Sequence, residues 1–120
     1  LPTAAGVYSG ADLREQRKSE RPVNLEAERK LGQRLLKLAG SDPGDVAAVV
    51  VRAYAALGRA PSRLVAATLE DAALAERRPN LPGATDRPNW SIPLPKTVEQ
   101  LRKDPVPRRI ATALQPRAAR

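Results

Sequence analysis

Two asparagines and a tryptophan are the residues of this chain best suited to holding a small polar molecule. They sit close together in the run Arg78-Pro79-Asn80-Leu81-Pro82-Gly83-Ala84-Thr85-Asp86-Arg87-Pro88-Asn89-Trp90. The side-chain amides of Asn80 and Asn89 each present a donor and an acceptor side by side. Pro82 pre-sets φ for the first central position of a turn, and Gly83 supplies a positive φ for the next. Asn80-Leu81-Pro82-Gly83 therefore reads as a tight, rigid turn. A rigid loop that presents amides is a common way to build a binding site. The plain alternative is a surface loop between two elements, and turn chemistry on its own favours it. A second group, Glu70-Asp71, ends an apolar run, and barrel enzymes place chemistry at such strand ends. The simpler account has Asp71 capping a short helix over 72–77 and Glu70 paired with a nearby arginine.

What the chain lacks excludes much else. It has no cysteine, so it has no disulfide framework, thiolate metal site or cysteine nucleophile. It has no histidine, which removes Ser-His and Cys-His catalysis and ordinary zinc sites. Methionine is absent too, so Leu1 is not an initiator and the chain reads as a piece of something longer. Its 120 residues make one domain at most, with a modest core. Lys and Arg number 21 against 13 Asp and Glu, a net charge of +8. These charges are scattered among acids and hardly interleaved with aromatics, so nucleic acid is not the expected partner. Only 96–120 is basic in a run-like way, and it reads as a solvated helical tail. No apolar run approaches the roughly 20 residues of a membrane span, and the N-terminus has no signal pattern.

The chain around these residues divides into short elements. Residues 1–10 read as a loop, with Pro2, Gly6 and Gly10. A polar helix over 11–20 carries charge on nearly every side and is expected to face solvent or to pack only weakly, until Arg21-Pro22 breaks it. Asn24 then caps a second helix, with Glu26 and Glu28 in its first turn and Leu31, Leu35 and Leu38 as one apolar stripe. Gly40 closes it. Ser41-Asp42-Pro43-Gly44-Asp45 starts a third helix, whose Val46, Val49, Val50, Ala53, Tyr54 and Leu57 form the strongest helical pattern in the chain. Tyr54 on that face reads as core packing, and Gly58 and Pro61 stop the helix. Leu64-Val65-Ala66-Ala67-Thr68-Leu69 fits a buried parallel strand, although a buried helix segment fits as well. Thr97 caps a further helix holding Val98 and Leu101, Pro105 and Pro107 interrupt, and 110–114 forms a last short helix. A lone strand has no partner here and would leave its edges open, a second sign that its neighbours lie in other sequence.

Three of these stretches together resemble the 4-α-glucanotransferases, the amylomaltase or disproportionating-enzyme family. Leu1-Pro2-Thr3-Ala4-Ala5-Gly6-Val7-Tyr8-Ser9-Gly10-Ala11-Asp12-Leu13 is similar to the segment after the family's catalytic His-Asp pair. Leu69-Glu70-Asp71 is similar to the end of its last barrel strand. Asn80-Leu81-Pro82-Gly83 with Pro88-Asn89-Trp90 after it is similar to the family's C-terminal signature, and is the specific part of the match.

The resemblance implies a fold class: α/β, the C-terminal portion of a (β/α)8 barrel, mostly helical, with one buried parallel strand over 64–69. It implies that 1–95 is the end of the catalytic barrel and 96–120 a basic helical tail. It implies a cytoplasmic enzyme of starch, glycogen or maltodextrin metabolism that passes an α-1,4-glucan to a sugar 4-hydroxyl by retaining double displacement. Maltooligosaccharide donors and acceptors are then the partners, together with the N-terminal remainder of the same chain; no metal or organic cofactor is called for. All three catalytic carboxylates would lie upstream, the third directly before Leu1, so none is in this chain. Alone it is expected to be inactive and not to hold a native fold. Asn80 is the residue implied to hydrogen-bond a glucose hydroxyl, with Pro82 and Gly83 setting its position. Asn89 is expected to bond nearby backbone. Trp90 is expected to pack the chain's return against the barrel, with stacking on a sugar as the alternative. Thr3 would help place the neighbouring aspartate. A small basic helical module that binds nucleic acid or an acidic protein is the rival from another class.

Overall fold

The structure, a computed structural model, describes residues 2–19, 22–40, 44–83 and 88–115. Expectations resting on Leu1, the Arg21 break, Ser41-Asp42-Pro43, Ala84 to Arg87 and the last five residues lie outside these.

The first ten residues are helical where a loop was expected. Thr3 caps α1 (Ala4–Ser9) by accepting from the Gly6 N–H at 3.1 Å. Pro2 precedes that cap, and Gly10, at φ 74°, is the joint to α2 (Ala11–Lys18). Both residues that looked like loop formers therefore bound helices. Gly6 lies inside α1 for a different reason. A Cβ there would run into the carbonyl oxygen of Glu76, so the helix rests directly on the backbone that leads to the Asn80 loop.

α3 (Leu25–Ala39) starts as expected, with Asn24 Oδ1 accepting from the Ala27 N–H at 3.0 Å. Its stripe is only partly covered: Leu31 and Leu35 are half-buried, and Leu38 is 48% exposed. α4 (Val46–Gly58), capped by Asp45, buries Val49, Val50, Ala53 and Tyr54. Fully burying each valine stabilises by about 1.5–3 kcal/mol. Gly58 does not stop this helix but belongs to it. A Cβ there would meet the Ala113 carbonyl oxygen, so the glycine admits a helix passing close by.

The stretch over 64–69 corrects the expected strand. No strand occurs among the described residues, and 61–69 are all exposed, with Leu64 at 92%. The stretch crosses the surface without a ladder partner and runs into α5 (Leu69–Ala72). The strand reading rested on apolar content, but burial needs neighbouring strands that these residues do not have. The short helix is also shifted from 72–77, and its cap is Thr68, whose Oγ1 accepts from the Asp71 N–H at 3.2 Å. Asp71 is thus released for another role.

Thr97 and Gln100 form the reciprocal cap of α6 (Val98–Lys103), with bonds of 3.3 and 2.8 Å. Pro105 and Pro107 do not interrupt the last helix but stand in its first turn. Asp104 caps this helix, α7 (Pro105–Leu114), accepting from Val106 N–H at 2.8 Å. A proline in the first turn needs no intrahelical N–H bond, so both are tolerated.

α4 is the central helix, with α7, α3 and α1 packed around it. Ala5, Val50, Tyr54, Ala72, Val106 and Ile110 make the core, so segments far apart in sequence converge on one face of α4. The helices of the expected α/β arrangement are present among the described residues, and its sheet is not.

Candidate functional site

Three segments meet beside α4: the start of α1, the Thr68–Asp71 turn, and the chain from Glu76 into the Asn80 loop. The loop closes on itself. The Trp90 N–H donates to the Pro79 carbonyl at 2.7 Å, and the Leu81 N–H donates to Asn89 Oδ1 at 2.8 Å. Asn89 thus bonds nearby backbone, as its type suggested. The Ser91 hydroxyl donates to the Pro88 carbonyl at 2.6 Å. Leu81 is buried and pins the loop inward. Gly83 adopts φ 77°, the left-handed conformation that the Pro82-Gly83 turn called for. Trp90 adopts φ 61°, which is uncommon for a bulky residue, and the residue is 71% exposed. Within this chain the residue anchors the loop through its backbone N–H, not through its ring. Asn80 is half-buried, and among the described residues its amide has no hydrogen-bond partner.

The base of the loop is held by charge. Arg78 forms a two-pronged pair with Asp12: Nε with Oδ1, and Nη2 with Oδ2 at 2.7 Å. Asp12 is 1% exposed and also accepts from Gln16 Nε2 at 3.0 Å. Glu28 adds a second carboxylate 3.8 Å from Arg78 Nη2. The hydrogen bond to Asp12 outweighs burial and raises the already high pKa of Arg78. Next to it, Arg77 donates twice to Glu15 Oε1, at 3.1 and 2.9 Å. The polar helix α2 is therefore not simply solvent-facing, because one turn of it is the buried counter-charge for the loop base. Sequence reasoning missed this. Asp12 and Arg78 are 66 residues apart, and no local pattern joins them.

A second polar cluster sits on the other side of α1. The Asp71 carboxylate takes the Ala4 N–H at 2.7 Å on Oδ1 and the Tyr54 hydroxyl at 2.7 Å on Oδ2. Tyr54 Oη in turn accepts from the Thr68 N–H at 3.3 Å. Burial first, then the bond to Asp71, raises the Tyr54 pKa above its ordinary value, so the phenol stays protonated and donating. Asp71 does not cap its own short helix and is not a free carboxylate, and Glu70 makes no ion pair among the described residues.

Beneath the loop, Glu70, Glu76, Arg77 and Pro79 face 92–95 across a cavity of about 180 Å³. A wider groove, about 600 Å³, lies between α2 and α3, with Asp12, Arg17, Glu28 and Arg29 among its walls. Two of those acids are committed to Arg78, whereas the Asn80 amide of the loop has no partner among the described residues. Among the described residues no cluster of acidic side chains could hold a metal ion, and no helix is long and apolar enough to cross a membrane.

No family model matches the chain, and no solved structure matches it. Curated 4-alpha-glucanotransferases do match, one from Mycobacterium bovis and two from Mycobacterium tuberculosis. Each is 36% identical over 108 residues, covering 78% of this chain. The chain spans about 15% of the length of these relatives. Over most of its length, this chain is thus the relative of part of a 4-alpha-glucanotransferase that its motifs suggested.

Proposed function

We propose that this chain is part of the catalytic barrel of a cytoplasmic 4-α-glucanotransferase and forms one wall of its substrate cleft. The observation that carries the reading is the 36% identity to 4-alpha-glucanotransferases over 78% of the chain. The meeting of the α1 start, the Thr68–Asp71 turn and the Asn80 loop supports it, since these are the three stretches in which the resemblance was read.

The proposed reaction moves an α-1,4-glucan segment from a maltooligosaccharide donor to the 4-hydroxyl of an acceptor sugar, with retention. One carboxylate attacks the anomeric carbon, a second serves as general acid and then base, and a third stabilises the distorted ring. All three belong to sequence before Leu1, so this chain alone carries no activity. Glu70 and Asp71 do not replace them; both Asp71 oxygens already accept hydrogen bonds. The chain's own contribution is contact and placement. The unpaired Asn80 amide bonds a glucose hydroxyl near the cleavage point, and Pro82, Gly83 and the Asn89 bond hold it there. The exposed Trp90 ring meets the rest of the barrel or the glucan.

The test is to express the full-length protein containing this segment and incubate it with maltotriose. Glucose and longer maltooligosaccharides, formed without net hydrolysis, are expected. A folded full-length protein that transfers no glucan from any α-1,4-linked donor would overturn the reading.

A further inference from the structure

We infer that Asp71, steadied by Tyr54, is a positioning residue that fixes the start of α1 relative to the Asn80 loop; this rests on the glucanotransferase reading. Asp71 spends both carboxylate oxygens on structure, and neither bond is local. One holds the Ala4 backbone N–H, 67 residues away, at 2.7 Å. The other takes the hydroxyl of Tyr54, on the buried face of α4, at 2.7 Å. Tyr54 then accepts the Thr68 N–H, so one phenol ties α4 to both ends of the Thr68–Asp71 turn. Charge-assisted bonds accepted by a carboxylate are short and directional, well suited to holding a backbone in register.

The Ala4 N–H is one of the unpaired donors at the start of α1, so Asp71 fixes that helix at its first residue. Thr3, 4% exposed, fixes the same turn through Gly6. The far side of that turn has no slack, because Gly6 lies against the Glu76 carbonyl with no room for a Cβ. Glu76 is four residues before Asn80. A displacement of α1 is therefore passed both to Asn80 and back through Pro2 toward the catalytic aspartate that the proposed enzyme carries before Leu1. Asp71 touches neither substrate nor reacting atoms, and acts through the Ala4 N–H.

The inference separates catalysis from binding. In the full-length enzyme, Tyr54→Phe keeps the ring in the core and removes the hydroxyl. Asp71→Asn keeps the shape but turns an NH2 toward one of the two donors. Initial rates of maltotriose disproportionation are measured for each single variant and for the double, with the folded fraction tracked by circular dichroism. We expect kcat to fall about tenfold for Tyr54→Phe and about ten- to a hundredfold for Asp71→Asn, the scale of a small misplacement of reacting groups. KM should stay within about twofold, and the double variant should be no slower than Asp71→Asn alone, because the two residues act as one unit. Unchanged kcat in folded single variants overturns the inference. So does a loss that appears in KM, or one that merely tracks the folded fraction. An inactive wild-type protein refutes the glucanotransferase reading and the positioning role with it; active variants beside an active wild type refute the positioning role alone.

Discussion

The pair between Asp12 and Arg78 ought to hold the loop base more firmly than any other ionic contact described. Its side chains are 2% and 14% exposed, against 67% and 62% for the Glu26–Lys30 pair on α3. At an effective dielectric of about 20, two unit charges 4 Å apart attract by about 4 kcal/mol. Desolvation offsets most of that for the intact pair, so replacing both residues by alanine should cost little beyond lost packing. Removing one partner is different. Asp12→Ala leaves the Arg78 cation in a largely covered site with Glu28 3.8 Å away as partial compensation. We expect a cost of about 3 kcal/mol, the low end for a broken buried pair, including about 1 kcal/mol for the lost Gln16 bond.

The assay is urea denaturation of the wild type, Asp12→Ala, Arg78→Ala and the double variant, monitored by far-UV circular dichroism. With m near 1–3 kcal/mol/M, the single variants should shift the midpoint by about 1–3 M. The coupling between the two residues should be about 2 kcal/mol and should survive high salt, since a buried pair is screened little. The Glu26–Lys30 pair should couple by about 0.3–0.5 kcal/mol and fade with salt. A coupling for Asp12–Arg78 below about 0.5 kcal/mol, or one that fades in the same way, would refute the argument that this fork anchors the loop.

Single contacts elsewhere set three other outcomes. Asp104 caps α7 and bonds Lys96, which with the Val106 N–H bond holds its carboxyl below the ordinary carboxylate value. That stability is present above the ordinary value and is lost as pH falls through the lower folded value; Asp104→Ala should cost about 1 kcal/mol at neutral pH and flatten the acid limb of a stability-pH curve. Gly58→Ala should cost about 1–3 kcal/mol in a thermal melt because the new methyl meets the Ala113 carbonyl, whereas Gly32→Ala, with open space around it, should stabilise α3 by up to about 1 kcal/mol. Asn80→Ala in the full-length enzyme should lower kcat/KM by about 1–3 kcal/mol of transition-state stabilisation; unchanged kinetics would remove Asn80 from the cleft.

Local chemistry was readable in the sequence, and long-range pairing was not. Asn24, Thr97 and Gly83 do what their types dictate, because a cap or a turn is decided within four residues. The α4 stripe was visible for the same reason. The α1 helix was missed because three glycine and proline positions were counted as breakers. One lies outside the helix, one is its joint, and one is demanded by Glu76, 70 residues downstream. The 64–69 run failed as a strand because strand formation depends on partners, whereas apolar content is only a local property. Within the site, the Asn89 bond to backbone and the positive φ of Gly83 were legible from residue type. Asp12–Arg78 and Asp71–Tyr54–Ala4 were not, since a buried polar network becomes visible only once the chain has brought its members together.

The bare surface run beyond α4 has a consequence for making the protein. Leu64-Val65-Ala66-Ala67-Thr68-Leu69 has no proline and no charge, and Leu64, Val65 and Leu69 are exposed. Such a segment is a template for intermolecular cross-β stacking. Its flanks carry the opposing signals: Arg59, Pro61 and Arg63 before it, Glu70 and Asp71 after it. Charges and a proline at these flanks are the residue types that oppose self-association of such a run. Neutralising Arg59 and Arg63 should therefore lower the soluble yield of this chain without altering a single contact in its core.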